Sequence, residues 1–331
     1  MAKLLLIDGN NLFHRAYHAL PPLTGKDGEN SNAVYGFSNM LLKAIEEVGP
    51  SYVACAFDTA APTFRHVAFE KYKAQRPAPP LDLYPQLPKV KGVLKAFGIP
   101  FFEKAGYEAD DLLATIAMRV IRGQVLEVSK GNAKKTNLQP LTADELEVII
   151  LSGDRDVLQL VDGYIKVQMP GWNLTSTSLY GAKEVEEKFG ITPAQMVDYK
   201  SLVGDPSDNV PGVAGIGPKN ASSLLQKYGT IEEIYKHLDE IGGTIQAKLE
   251  VGRDLAITAK SLVKLDTSVD LGFKIDDLRL DPDWEKVRAE FEGLGFKSIV
   301  AKLPGGEVSK VSQVPQVSKV DKESSNQLEL I

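Results

Sequence analysis

The chain has 331 residues, 43% hydrophobic and 25% charged, the balance of a soluble globular protein with one large or two modest domains. Lys and Arg number 38 against 44 Asp and Glu, a net charge of −6, which argues against a nonspecific basic nucleic-acid binder but leaves room for a local basic track. No apolar run approaches the roughly 18 residues needed to span a bilayer, so no membrane association is expected. The opening MAKLLLIDGNN turns polar too soon for a secretory leader, and a single cysteine, Cys55, excludes an internal disulfide framework. A cytoplasmic protein is expected, with Cys55 as a small core residue inside the apolar run YVACAF.

Taken in order, three short apolar runs read as buried strands: Lys3–Ile7, Tyr52–Phe57 and Glu147–Leu151. Helical patterns lie between them at Ala33–Val48, Leu87–Phe97 and Ala109–Arg122. Strands alternating with helices predict βαβ units and a parallel sheet, an α/β fold. Phe64–Pro88 is rich in Lys, Arg and Pro and reads as a mobile excursion over the sheet. Gly123–Asp144, with Lys130, Lys134 and Lys135, reads as a polar loop insertion. After about Ile191 the pattern is mostly helical, and from Pro304 the composition is that of a disordered tail.

Each strand ends in acid. Asp8 follows the first, Asp58 the second, and Asp154 and Asp156 the third. Sites in open α/β sheets lie outside the carboxyl ends of the strands, so these four should converge on one edge. A lone acid there has a bland reading, because Asp is common in turns; three strands doing the same is a pattern. GYEADDLL adds Glu108, Asp110 and Asp111 at a helix start. Acids there also interact favourably with the helix dipole, which is the bland reading of this group. Glu108 and Asp111 are three apart and share a helix face. If that helix points at the same edge, joint ionisation is strongly opposed, and divalent cations with oxygen preference, Mg²⁺ or Mn²⁺, are the remedy.

A second acidic group, Asp205 and Asp208, sits in SLVGDPSDNVPGVAGIGPKNA. DPSDN is also turn composition. Its neighbour GVAGIGPK, with Gly212, Gly215, Gly217 and Lys219, has the glycine spacing of a helix–hairpin–helix followed by an amphipathic helix, Ala221–Tyr228. Such a hairpin presents backbone N–H groups to a phosphate near a helix N-terminus.

These segments together resemble the 5′-nuclease (flap endonuclease) superfamily, most nearly the N-terminal 5′→3′ exonuclease domain of bacterial DNA polymerase I. The carriers are LLLIDGNNLFHRAYHAL, VACAFDTAAPTFRH, YKAQRP, GYEADDLLA, LSGDRDVLQL and GDPSDNVPGVAGIGPKNA, spanning about residues 3 to 300. The resemblance implies a PIN-like, mostly parallel sheet flanked by helices, with a helical arch near 64–88. It implies a catalytic domain over 1–190, a helical region over 191–303 with the hairpin motif at about 197–230, and a tail over 304–331. It implies a structure-specific 5′→3′ exonuclease and flap endonuclease using two or more Mg²⁺ or Mn²⁺ ions, with no polymerase domain in this chain. Asp8, Asp58, Glu108, Asp110, Asp111, Asp154 and Asp156 match the family's metal-site acids, and Asp205 and Asp208 the pair from the helical region.

By the same resemblance Arg15 lies near the scissile phosphate, Lys73 is the catalytic lysine at the arch base, and Arg76 contacts phosphate. A solvated loop is the plain alternative for Lys73 and Arg76. Lys200 and Lys219 match duplex-backbone contacts. Where relatives often carry a second basic residue, this chain has Asn220, which points to weaker backbone affinity. His14 reads either as an aromatic platform for substrate or as a packing residue. The expected partners are duplex DNA with a 5′ single-stranded arm or nick, RNA–DNA primers, and a sliding clamp docked by the C-terminal QLELI; the protein itself is expected to be a monomer. Two rivals share the scaffold: a noncatalytic flap- or junction-binding protein, which the complete acid set opposes, and a PIN-type ribonuclease, which the hairpin and arch oppose.

Overall fold

The computed structural model describes residues 1–123, 146–171 and 176–305. Most of the expected insertion, with its three lysines, and nearly all of the tail, with QLELI, lie outside the described residues.

The strand β1 (Ala2–Asp8) has Leu4 through Ile7 fully buried. Alternate side chains leave a strand on opposite faces. Leu4 and Leu6 accordingly enter one core, and Leu5 and Ile7 another. The same alternation runs through β2 (Tyr52–Ala56), with Tyr52, Ala54 and Ala56 on one face and Val53 and Cys55 on the other. Burial on both faces explains why these runs are continuously apolar. Three further strands are short or half-polar and escape the sequence pattern: β3 (Phe101–Phe102), β5 (Ile165–Pro170) and β6 (Thr177–Tyr180). With β1, β2 and β4 (Leu146–Leu151) they form a six-stranded sheet of order β3-β2-β1-β4-β5-β6. Every pairing is parallel except β5 with β6.

Helices α1 (Gly9–Ala19), α2 (Asn32–Val48), the short α3 (Phe64–Ala68), α4 (Leu87–Ala96) and α5 (Ala109–Ile121) fall between the strands. The helix α1, with Leu12, Phe13 and Ala16 on its buried face, was not among the helices read from sequence. One face of the sheet is covered by α1, α2 and α4. The other is covered by α5, whose Leu112, Leu113, Ile116 and Val120 are fully buried. Each such side chain removed from water contributes about 1.5–3 kcal/mol.

The helix α6 (Ala182–Phe189) follows β6, and after Ile191 the chain is mostly helical, as its pattern predicts: α7 (Met196–Val203), α8 (Pro218–Tyr228), α9 (Ile231–Lys236), α10 (Leu238–Ile241), α11 (Gly243–Val263), α12 (Trp284–Leu294) and α13 (Lys297–Val300). It does not stay on one side. The core residues of α7, α8 and α9, with Leu249 and Ala256 of α11, join the α5 face; Ala259, Leu262 and Val263 at the end of α11 pack with Tyr72 and Val210, while Val287, Phe291, Phe296 and Ile299 cross to pack with α2 and α4. Among the described residues no helix is long and apolar enough to cross a membrane.

Candidate active site

Strand ends deliver the first acids. Asp8 closes β1 and caps α1, accepting a hydrogen bond from Asn11 N at 2.9 Å and another from Ser152 Oγ at 2.6 Å. Asp58, just past β2, is gripped by Asn10: the amide Nδ2 donates to Asp58 Oδ2 at 3.0 Å, and Asp58 N donates to Asn10 Oδ1 at 3.1 Å. Ala109 N, the first helical residue of α5, donates to Asp58 Oδ1 at 2.7 Å, so the acidic start of α5 meets the same sheet edge. Gly9 lets this happen. A Cβ there would lie 2.4 Å from the Phe57 ring and 2.8 Å from Ala56 O. Asn11 Oδ1 accepts from Gly153 N at 2.9 Å and ties in the turn after β4, which carries Asp154 and Asp156.

The charge of this edge is poorly compensated. Burial pushes the Asp8 carboxyl up to about 7, reinforced by Asp58 and Asp154 and only partly relieved by Ser152 and the Asn11 amide. Burial, then Asp8, Asp154 and Asp58, holds the Asp110 carboxyl well above the usual range. Burial also raises Asp58. Asp110 Oδ1 is buried without a hydrogen-bond partner. Buried acceptors and charges without partners are costly. Among the described residues no three acids already stand in the arrangement that grips an ion. The donor set nevertheless fits one: hard carboxylate oxygens, mutually repelling, with an orphaned oxygen among them.

Asp111 does not belong to this edge, contrary to expectation. It is fully buried, and the Arg65 guanidinium takes both its oxygens, Nη1 to Oδ2 at 2.7 Å and Nη2 to Oδ1 at 2.8 Å. The backbone amides of Glu108 and Asp266 complete its acceptors at 3.1 and 2.9 Å. With its partners fixed, Asp111 is a brace rather than an open ligand. Sequence reasoning missed Arg65, which reads as one more charge in a basic stretch. Its fully buried side chain also donates to Leu262 O at 2.7 Å and Lys264 O at 3.1 Å, beside the end of α11.

Of the helical arch expected near 64–88, only α3 and a short 3-10 turn at Tyr84–Gln86 are helical before α4 begins; the chain between them runs in turns, and the arch base is held rather than free. Tyr72, also missed, is buried and donates to Glu108 Oε2 at 3.0 Å and Asp208 Oδ2 at 3.1 Å. Lys73 Nζ lies 2.8 Å from Glu108 Oε1 and 3.7 Å from Asp208 Oδ2, and Arg76 Nη2 lies 2.5 Å from Asp208 Oδ1. Burial alone would lower the Lys73 ammonium, but Glu108 and Asp208 carry it above its ordinary value. Lys73 N donates to Asp208 O at 2.9 Å, and Asn209 Nδ2 to Lys71 O at 2.7 Å. Lys73 and Asn209 have φ of 54° and 56°, the only non-glycine residues with positive φ among those described. Such strain costs on the order of 1–3 kcal/mol and clusters where function over-determines the backbone.

Lys200 sits elsewhere than on the surface. Its ammonium contacts Asp156 Oδ1 and lies 2.8 Å from Asp205 Oδ2. Burial raises Asp156 to about 7 despite Lys200, helped by Asp154 and Asp205. Burial also pushes Asp205 up, but Lys200 and Ser207 outweigh it and bring it to about 2.

Between α7 and α8 the hairpin closes tightly. A Cβ on Gly212 would come within 2.4 Å of Gly204 N and Val203 C, so backbone meets backbone there. Gly215 has φ 80° and its carbonyl accepts from Lys248 Nζ at 3.2 Å, which brings a basic residue of α11 to the hairpin. Gly217 caps α8, and Lys219 in its first turn is exposed. Arg15 sits on α1 with its Nε buried and unpartnered. His14 meets the exposed Tyr84 of the arch at 3.3 Å, the ring centroids 5.8 Å apart.

Comparison with known proteins converges on one group. Residues 3–130 match the family described as the N-terminal resolvase-like domain of 5′-3′ exonucleases, and residues 191–286 that described as their C-terminal SAM fold. A 5′-3′ exonuclease of Aquifex aeolicus is 36% identical over 92% of this chain and 96% of its own length. DNA polymerase I of Caldicellulosiruptor bescii is 39% identical over 99% of this chain but only 37% of its own length, so the chain spans about a third of such relatives. A flap endonuclease of bacteriophage T5, solved with DNA and metal ions, shares the fold with a TM-score of 0.59 at 19% identity, covering 88% of this chain and 99% of that one.

Proposed function

This chain belongs to the 5′-3′ exonuclease family, and from that premise we propose that it is a metal-dependent nuclease cutting DNA at the base of a 5′ flap or at a nick. The observation that carries the reading is the buried, uncompensated carboxylate group of Asp8, Asp58 and Asp110 beside Asp154. These four would hold the first ion, Mg²⁺ or Mn²⁺. Glu108, Asp156, Asp205 and Asp208 supply carboxylates for a second. Bound there, the ions supply an activated water and charge relief for the leaving oxygen.

The chain's own groups do the rest. Lys73 and Arg76 stand at the arch base beside Glu108 and Asp208, where they can turn to a phosphate and offset its charge. Arg15, whose buried Nε has no partner among the described residues, could serve the same task. The Gly212–Gly217 hairpin, Lys219 and Lys248 would hold duplex by its backbone, so base sequence should matter little. The products would be a 5′-phosphate and a 3′-hydroxyl, and RNA primers paired to DNA would serve as substrates too. The protein would act as a cytoplasmic monomer.

A 5′-labelled flap duplex incubated with Mg²⁺, or with EDTA, and run on a denaturing gel tests this. Cutting near the flap base is expected only with Mg²⁺. Asp110→Asn should lose cleavage by at least about 10²-fold, an electrostatic loss of the usual size, while still shifting the flap on a native gel. Cleavage in EDTA, or full activity in Asp110→Asn, sinks the proposal.

A further inference from the structure

The two halves of the acid set differ in one respect. Among the described residues no cation contacts Asp8, Asp58 or Asp110, whereas Asp156 and Asp205 share the ammonium of Lys200. Lys200 comes from α7, Asp156 from the turn after β4, and Asp205 from the turn after α7. All three side chains are largely shielded from water, with side-chain exposures of 12%, 11% and 15%. The ammonium therefore bridges the two acids in a site largely shielded from water.

We propose that Lys200 is a built-in competitor for the metal ion: its ammonium occupies the gap between Asp156 and Asp205, and it leaves for a DNA backbone phosphate when an ion enters. This inference rests on the metal-dependent reading above. The physical reason is exclusion. A divalent ion bound by carboxylates cannot share the same oxygens with an ammonium in contact, because the two cations repel strongly in a shielded site. A displaced lysine needs an anion, and a backbone phosphate is a suitable one, since a lysine recognises phosphate as a compact point charge. Metal and DNA then assist each other. Whatever draws Lys200 away frees the acids for the ion, and by linkage the ion frees Lys200 for DNA by the same factor. The proposal makes Lys200 a positioning residue whose removal has effects of opposite sign on two ligands.

The test titrates the full-length protein with Mn²⁺ and follows free Mn²⁺ by its electron paramagnetic resonance signal, with and without an uncut 5′-flap duplex. Without DNA, Lys200→Met should bind Mn²⁺ about tenfold more tightly than the wild type, a coupling of ordinary size. The flap should tighten Mn²⁺ binding to the wild type and do so much less for Lys200→Met. Flap affinity at fixed metal should fall in the variant. Lys200→Gln, which keeps a polar head, should behave like Lys200→Met, and melting curves in EDTA would show that both are folded at the assay temperature. Equal or weaker Mn²⁺ binding by both folded variants overturns the competitor role alone. A wild type that binds no Mn²⁺ overturns the metal reading as well, so the two failures are distinct.

Discussion

Arg65 offers the sharpest energetic prediction. Its side chain is 2% exposed and that of Asp111 is 0%. Between them run two short parallel hydrogen bonds, 2.7 and 2.8 Å, the fork geometry that only a guanidinium supplies. Removing Arg65 leaves Asp111 a buried carboxylate with only the Glu108 and Asp266 amides, and strips Leu262 O and Lys264 O of a donor. Breaking one partner of a buried pair costs about 3–5 kcal/mol. With about 2 °C per kcal/mol for a chain larger than 200 residues, Arg65→Met should melt roughly 6–10 °C below the wild type. Lys at this position should not rescue, because it cannot fork. Replacing both partners, Arg65→Met with Asp111→Leu, should recover most of the loss, since apolar pairs often match buried ion pairs in stability. The double variant still lacks the brace on the acidic start of α5, so its Mg²⁺-dependent cleavage should remain low although its melting is restored. Differential scanning calorimetry in EDTA reads the first effect and the flap assay the second. An Arg65→Met variant that melts with the wild type, or a double variant no more stable than the single one, would refute the bracing argument.

Two further predictions follow from the charges and the tail. Asp8 and Asp156 both titrate near 7 in the folded protein, against an ordinary value of 3.8. Between about 4 and 7 the folded protein keeps protons that the unfolded chain has lost, so stability falls as pH rises through that window. In EDTA the melting temperature should therefore drop from pH 5 to pH 8, less so in Asp8→Asn, and Mg²⁺ should oppose the drop; a wild-type protein that gains stability over that range contradicts the assignment. The C-terminal QLELI resembles a clamp-docking motif, and we propose that it is one. Deleting residues 327–331 should abolish retention on an immobilised bacterial sliding clamp and leave flap cleavage unchanged, whereas undiminished retention disposes of the idea.

The layout of the fold was readable because its main strands are buried on both faces, which makes them continuously apolar. The helix α1 was not, although Leu12, Phe13 and Ala16 give it a buried face, because it starts directly after Asp8 and its first residues are polar and spent on the site: Asn10 and Asn11 serve Asp58 and Gly153. The strands β3 and β6 are too short or too exposed to leave a period. Among the acids, position along one element was informative and partner choice was not. Asp110 and Asp111 are adjacent and of the same residue type, yet the helix turns one toward the strand ends and the other toward Arg65, which is 46 residues upstream and itself fixed by carbonyls nearly 200 residues further on. A sequence fixes which face of a helix a carboxylate takes, because that depends on a local period. Whether that face meets an arginine or an uncompensated group of acids depends on contacts that form only when α3, α5 and the end of α11 meet. The same limit applies to the lysines. Lys73 and Lys200 were expected to face phosphate, as the catalytic lysine and a duplex-backbone contact, but packing turns both inward onto carboxylates. Basic residues that would serve DNA are thus stored on the acids that would serve metal, which is how a chain with an excess of acid can still present positive charge to a phosphate once the acids have other partners.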